Sequence, residues 1–312
     1  MNKKDFSQKE LSKAAGIDHN TLSGSNIAHL FIHHHKVIGS HLLPGLYIKT
    51  KEVKDGIEIN LVLKKGTKIK KPVQMCFGMI PKKGIQKIIM NIEIQEDSKI
   101  DVIAHCTFPN AENVRHIMDA KILIGKNASY SYFERHIHGD KGGVKVIPKA
   151  KIKLLEKAIF KTEFELLKGR VGLIDIDYEV ECGKKSILEM MARINGKADD
   201  IIKIKETGHL NGEYSRGVLT SRVAAIDNTK AEIYSKLTAS GSYARGHVDC
   251  KEIVKDNGVV SAVPIVEVNN PKAHITHEAS LGSVDSKQLQ TLMARGLSED
   301  DGTDLIIQGL LS

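Results

Sequence analysis

From residue 56 onward, apolar and polar positions alternate with a period of two. Residues 56–63 (GIEINLVL), 85–94, 99–107, 117–124 and 129–137 carry the pattern, and it continues from residue 151 almost to Ser280. Alternation sends successive side chains to opposite faces, so each stretch predicts a strand with one buried face. Turn signals follow at Gly183, Gly196, Gly212, Asn228, Gly241, Gly258 and Asn270, spaced 12 to 17 residues apart. Each interval holds only a short strand or two. Alternation of this length without helical periodicity leaves a sandwich, a barrel or a β-solenoid. A solenoid accepts any length because each coil contacts only its neighbours. No strict repeat motif is visible that would select it.

The ends of the chain read differently. Phe6, Leu11, Ala14 and Ala15 share a helical face, Ser7 and Glu10 resemble a capping box, and Gly16 ends the segment. His33-His34-His35 cannot all point one way, so they predict a surface or loop feature. Pro44-Gly45 marks a boundary. Beyond the strands, Leu289, Leu292 and Met293 share a helical face, Gly296 stops that helix, and Ser298 caps another. Leu305, Ile306, Leu310 and Leu311 make its apolar stripe. The expected division is an N-terminal helical and loop segment over 1–45, a β core over 46–282 and a C-terminal helical segment over 283–312.

Composition narrows the function classes. The 312 residues carry a net charge of +8, but acids are interspersed throughout, and seven Tyr, seven Phe and no Trp provide no base-stacking surface. No nucleic-acid partner is expected. Cys76, Cys106, Cys182 and Cys250 form no CxxC pair. That argues against a zinc ribbon or a disulfide framework and suits a reducing compartment. The N-terminus has no apolar signal core and no run approaches membrane-spanning length, so a cytoplasmic protein without a membrane partner is expected. No Walker A pattern occurs, so the chain is expected to hydrolyse no ATP and to be no enzyme.

Candidate chemistry concentrates late in the chain. Cys250, on one predicted strand, precedes the pair His277-Glu278 on another. Thiol, imidazole and carboxylate are groups that bind iron or carry sulfur chemistry. Their spacing alone leaves packing roles open. Cys76 and Cys182 read as packing residues.

The run VPIVEVNNPKAHITHEASLGSVDSKQLQTLMARGLSEDDGTDLIIQGLL resembles the C-terminal signature of the SufB/SufD family, the scaffold proteins of SUF iron–sulfur cluster assembly. Its P-x-V/I-E-V strand, H-E-A-S tetrapeptide and Q-L…M-x-R-G-L-S-E-D run stand in the family's order, and a weaker resemblance reaches back to about Gly45. The resemblance implies a right-handed parallel β-helix. It also implies a scaffold that builds an iron–sulfur cluster at a dimer interface, as a homodimer or with a SufD-like chain. A separate SufC-type ABC ATPase, docking on the C-terminal helices, and a sulfur donor protein are the implied partners.

Cys250 matches the family's assembly cysteine, which makes the chain SufB-like, and Glu278 and His277 match its H-E pair. The metal ligands expected are Cys250 and Glu278. Neighbours on a strand face opposite ways, so Glu278 is expected to face Cys250 and His277 to face away. Cys106, in AHCTFPNAENVRH, resembles a family cysteine implied to accept persulfide sulfur. Such a thiol must be reachable and partly ionised, with His105 and Arg115 lowering its pKa; a small buried core cysteine at a coil corner is the other reading. Here Phe108, His105 and Glu134-Arg135-His136 depart from the family pattern, which weakens an internal sulfur route. The chain also reads as compact beside longer SufB proteins. Other readings are a SufD-like adaptor that binds the ATPase without a cluster and, more distantly, a β-helix enzyme acting on polysaccharide.

Overall fold

The structure, a computed structural model, describes residues 11–17 and 26–312. One sheet contains β1 (His29–His33), β2 (Lys36–His41), β5 (Val73–Gly78), β7 (Lys99–Phe108), β9 (Ser129–His138), β11 (Ile159–Lys168), β13 (Ile187–Gly196), β15 (Arg216–Ala225), β17 (Arg245–Val254) and β19 (His274–Gly282). The other contains β3 (Leu46–Val53), β4 (Gly56–Leu63), β6 (Lys83–Ile94), β8 (Asn113–Ile124), β10 (Val144–Leu154), β12 (Gly172–Cys182), β14 (Ile201–Leu210), β16 (Lys230–Ala239) and β18 (Val259–Val268). From β4 onward successive strands alternate between the sheets, and same-sheet neighbours pair in parallel. The result is a mainly β solenoid of about eight turns. Each turn advances the chain by 28 to 31 residues, as Phe160 beside Leu188 and Ile57 beside Ile88 mark.

The repeat is one of backbone conformation, which is why no residue motif reveals it. Asp97, Asn127, Lys157, Lys185, Tyr214 and Tyr243 stack at one corner with φ between 55° and 59°. The amide of Asp97 donates to the carbonyl of Lys126, that of Asn127 to Glu156 and that of Lys157 to Lys184, at 2.8–3.0 Å. This left-handed turn tolerates Asp, Asn, Lys and Tyr alike at a modest cost, so the residue varies while the geometry persists.

Inward positions are filled by Ile, Leu, Val and Met, and outward ones by charged rows that face each other. Lys149, Lys151 and Lys153 of β10 stand beside Asp177, Glu179 and Glu181 of β12. Cross-strand pairs of opposite charge contribute a few tenths of a kcal/mol each and spread the excess of lysine over a mixed surface.

The strands begin at His29, ahead of the boundary expected at residue 46. β1 and β2 form an antiparallel hairpin whose turn residue His34 has φ 59°, and β1 pairs in parallel with β5. The three histidines thus belong to a hairpin that closes the first coil. Leu11 and Ala15, in the short helix ended by Gly16, pack on Phe31 and Cys76. Residues Phe6, Ser7 and Glu10 of that expected helix lie outside the described residues. At the other end, α1 (Ser286–Met293) and α2 (Glu299–Leu311) follow β19, and Ser298 caps α2 by accepting from the Asp301 amide at 3.1 Å. The buried face of α2 is Ile307 and Leu311, packed with Ala224 and Ile253. Leu305, expected in the apolar stripe, is 47% exposed.

Glycines fill the corner where coils approach most closely. A Cβ on Gly212 would lie 2.0 Å from the Gly183 carbonyl carbon, and one on Gly241 would lie 2.1 Å from the Gly212 oxygen. Gly212→Ala is expected to cost about 1–3 kcal/mol, as overpacking in a rigid frame does. Gly309→Ala, in α2 with open space around it, should cost nothing or stabilise. Denaturation midpoints that fall equally for both would refute the close-stacking account.

Candidate functional site

Two groups of chemistry-bearing side chains lie in the solenoid, one near its middle and one at its C-terminal end. The middle group uses three strands. Strand alternation turns Cys106 of β7 and Glu134 and His136 of β9 inward, and His116 of β8 meets them from the opposite sheet. All four are buried, and one donor atom of each lies within 4.8 Å of the others. Cys106 Sγ donates to Glu134 Oε1 at 3.4 Å, and His136 Nε2 lies 2.8 Å from the same oxygen. His136 Nδ1 is 3.2 Å from His138 Nε2, and His138 Nδ1 is 3.2 Å from the carbonyl of Arg170. Neither nitrogen of His116 has a hydrogen-bond partner, nor does Glu134 Oε2.

The electrostatics follow from burial. Burial, then the charge of Glu134, pushes the Cys106 thiol well above its ordinary pKa. Burial, then His136, lowers His116 to about 3. Burial pushes the Glu134 carboxyl up, but hydrogen bonding and charge from His136, with smaller contributions from His116 and Cys106, hold it below the usual range. Cys106 is fully inaccessible. Burial thus fits the reading of Cys106 as a small buried core thiol rather than a reachable one partly ionised beside His105 and Arg115. His105 is itself held neutral, its pKa lowered to about 4 by burial and by Arg135.

At the C-terminal end, Ser221, Cys250 and Ala279 are register neighbours on β15, β17 and β19. Val248, Cys250 and Glu252 are buried, and Val248 pairs with His277. Alternation then puts His277 and Ala279 on the inner face with Cys250, and Glu278 on the outer face beside Asp249. This reverses the expected assignment of His277 and Glu278, because register, which spacing alone does not fix, decides the face. Glu278 joins an outer ion-pair chain: Lys251 Nζ lies 3.7 Å from Glu278 and 3.8 Å from Asp249, and Asp249 also pairs with Arg222. Burial raises the pKa of Cys250, partly offset by the Ser221 and Ser235 hydroxyls. Glu252 accepts from Ser221 Oγ at 2.7 Å, and burial lifts its pKa to about 7.

A row of inward positions, Glu134, Phe164, Ala192, Ser221 and Cys250, joins the two groups. At about 4.8 Å per strand it spans about 19 Å. Tyr178, Glu206 and Ser235 form a register row on the facing sheet. His116 was not singled out from the sequence, although a signal existed. It takes an apolar slot in an alternating strand, between Val114 and Met118, as Glu206 does between Ile204 and Gly208.

This geometry defines a class: parallel β-solenoids with a polar interior and a buried thiol one strand in from an open end. The model for the SufBD core domain of SUF-system iron–sulfur cluster assembly matches residues 82–310, and the chain belongs to that family. It is 42% identical to an iron–sulfur cluster assembly SufBD family protein of Methanocaldococcus jannaschii, over 86% of this chain and 84% of that one. A SufBD family protein of Pyrococcus horikoshii is 37% identical over 97% of this chain and 92% of its own length. Among the described residues, no helix is long and apolar enough to cross a membrane.

Glu206 supplies a test of the polar interior. It is buried, its Oε2 has no partner, and burial raises its pKa to about 8. The folded state keeps a proton there that the unfolded chain has lost above pH ~4.3. Stability therefore falls as pH rises through about 8. Between pH 6 and 9, Glu206→Gln should lose less stability than the unsubstituted protein by about 1 kcal/mol or more, read from urea midpoints. Equal losses would place the carboxyl in contact with water.

Proposed function

We propose that the chain is a scaffold subunit, without catalytic chemistry of its own, on which an iron–sulfur cluster is built at the open C-terminal coil. The observation that carries this reading is the state of that coil. β18 and β19 are the terminal strands of their sheets, so each has an unpaired edge, and β19 is exposed along nearly its whole length. Cys250 lies one strand inside that edge. An exposed pair of strand edges favours association with another chain, so we propose a dimer across β18 and β19, with a second copy or a SufD-like subunit.

Within that reading Cys250 is the thiolate ligand. His277 shares its face, and Glu278, whose side chain is 60% exposed, stands at the rim where a second chain meets it. Thiolate holds iron firmly, whereas imidazole and carboxylate hold it more loosely, which suits a cluster that is cargo to be handed on. The helical end supports a docking place for a separate SufC-type ATPase. There Met293 and Leu305 are 44% and 47% exposed beside the α1–α2 contact that Leu289 makes with Gly302. Sulfur arrives from a separate donor protein, and the assembly works in the cytoplasm.

Anaerobic reconstitution with iron and sulfide, followed by visible charge-transfer absorbance, tests the reading. The unsubstituted protein and Cys182→Ala should form a cluster, Cys250→Ala should form none, and His277→Ala and Glu278→Ala should hold one less stably. A folded, ATPase-binding protein that forms no cluster would be an adaptor instead.

A further inference from the structure

The assembly reading above leaves the cluster around Cys106 unused, yet it is the densest set of ligand groups among the described residues. We propose that Cys106, His116, Glu134 and His136 form a closed interior site for a divalent transition-metal ion of the zinc class, distinct from the cluster site at Cys250. The donor set is one sulfur, two nitrogens and one oxygen, all within 4.8 Å of one another and all buried. Tetrahedral zinc sites are built from such ligands.

Three further observations point to a cation. His116 is 1% exposed and neither of its ring nitrogens has a partner, an expensive arrangement unless one of them ligates. Glu134 Oε2 is buried and unpartnered as well. The third is a hydrogen-bond relay. The Arg170 carbonyl can only accept, so His138 Nδ1 donates to it and His138 Nε2 becomes an acceptor. His136 Nδ1 must then donate to His138, which turns the bare Nε2 of His136 toward Glu134 Oε1, 2.8 Å away. Two acceptors so close require a proton or a metal ion to bridge them. Through the same relay, the Arg170 carbonyl and His138 orient His136 as an outer-shell partner orients a metal ligand.

Charge balance favours the metal. When a divalent ion binds, the Cys106 thiol proton and the proton between His136 and Glu134 leave to solvent. A thiolate, a carboxylate and two neutral imidazoles then bring the site to zero net charge. That is the condition under which a charged group is tolerable in a dry interior. The ion ties β7 and β9 of one sheet to β8 of the other, and a thiolate held this way is not free to accept sulfur.

The test uses protein purified from cells grown in cobalt-supplemented minimal medium, since cobalt(II) reports its ligands in the visible spectrum. Unsubstituted protein and Cys250→Ala should both carry stoichiometric cobalt with tetrahedral d–d bands and a thiolate charge-transfer band. Cys106→Ser should lose the charge-transfer band. His116→Ala should weaken retention against a chelator by more than the roughly 10–100-fold typical of outer-shell changes. Circular dichroism establishes that each variant keeps its β content, and Cys106→Ser, nearly isosteric, serves if His116→Ala does not fold. Protein without cobalt, or a charge-transfer band that survives in Cys106→Ser, would overturn the proposal. Because Cys250→Ala removes the cluster ligand and leaves the interior site, failure of the assembly reading is distinguishable from failure of this one.

Discussion

Backbone hydrogen bonding from one coil to the next is the interaction on which the rest of this molecule depends. Each strand pairs with the strand one turn earlier and one turn later, so amides and carbonyls are satisfied along the solenoid and left over only at its ends. At the N-terminal end the antiparallel hairpins β1–β2 and β3–β4 add a strand to each sheet, which makes β2 and β3 the edge strands there. At the C-terminal end α2 lies against Ala224 and Ile253 on the flank of the sheet and leaves the edges of β18 and β19 open. Pro264 in β18 is compatible with an edge strand, where one missing amide costs least. The two ends therefore differ in kind: antiparallel hairpin strands form the edges at one, and parallel coil strands form them at the other.

The same pairing fixes the chemistry, because register decides which face each side chain takes. Cys250 beside Ala279 and Val248 beside His277 leave Glu278 outside, on a surface of paired charges. Inside, the solenoid keeps polar groups that a purely structural core would replace with aliphatic ones. Glu134, Glu206 and Glu252 are buried along the same lumen. Burial holds Glu206 and Glu252 toward the protonated form, whereas hydrogen bonding and charge from His136, with smaller contributions from His116 and Cys106, hold Glu134 toward the charged form. Glu134 beside Cys106 and Glu252 near Cys250 thus give the two thiols different electrostatic environments on one scaffold.

Much of the fold was legible in the sequence. Residues 56–63 coincide with β4, and residues 99–107 and 129–137 end one residue short of β7 and β9. The corner glycines Gly183, Gly212 and Gly241 fall between strands because a Cβ there would lie only 2.0–2.6 Å from the backbone of the neighbouring coil. The 28–31-residue period was hidden because Asp, Asn, Lys and Tyr all occupy the stacked left-handed position. The resemblance, not the periodicity, selected the solenoid. Site geometry was less legible. Alternation fixes that His277 and Glu278 part, but the face each takes depends on a partner strand that the chain reaches only after another coil. His116 and Cys106 lie close in sequence yet on opposite sheets, so their convergence appears only once the turn after β7 has folded the chain back.

The two thiol sites are best understood by how completely their surroundings saturate a metal. Around Cys106 every donor comes from a central strand held by neighbours on both sides, and four donors converge, which is the arrangement of a closed structural site. Around Cys250 one thiol stands with Ser221, Ser235 and Glu252 on its inner side, and its remaining neighbours belong to an edge strand exposed to solvent. A cation there lacks a full set of fixed ligands from one chain, so positions stay open for sulfide, for a second chain or for a recipient. On the proposed reading, permanence at the middle and lability at the end follow from where each ligand set lies, wholly on strands paired on both sides around Cys106 and partly on the edge strand β19 around Cys250.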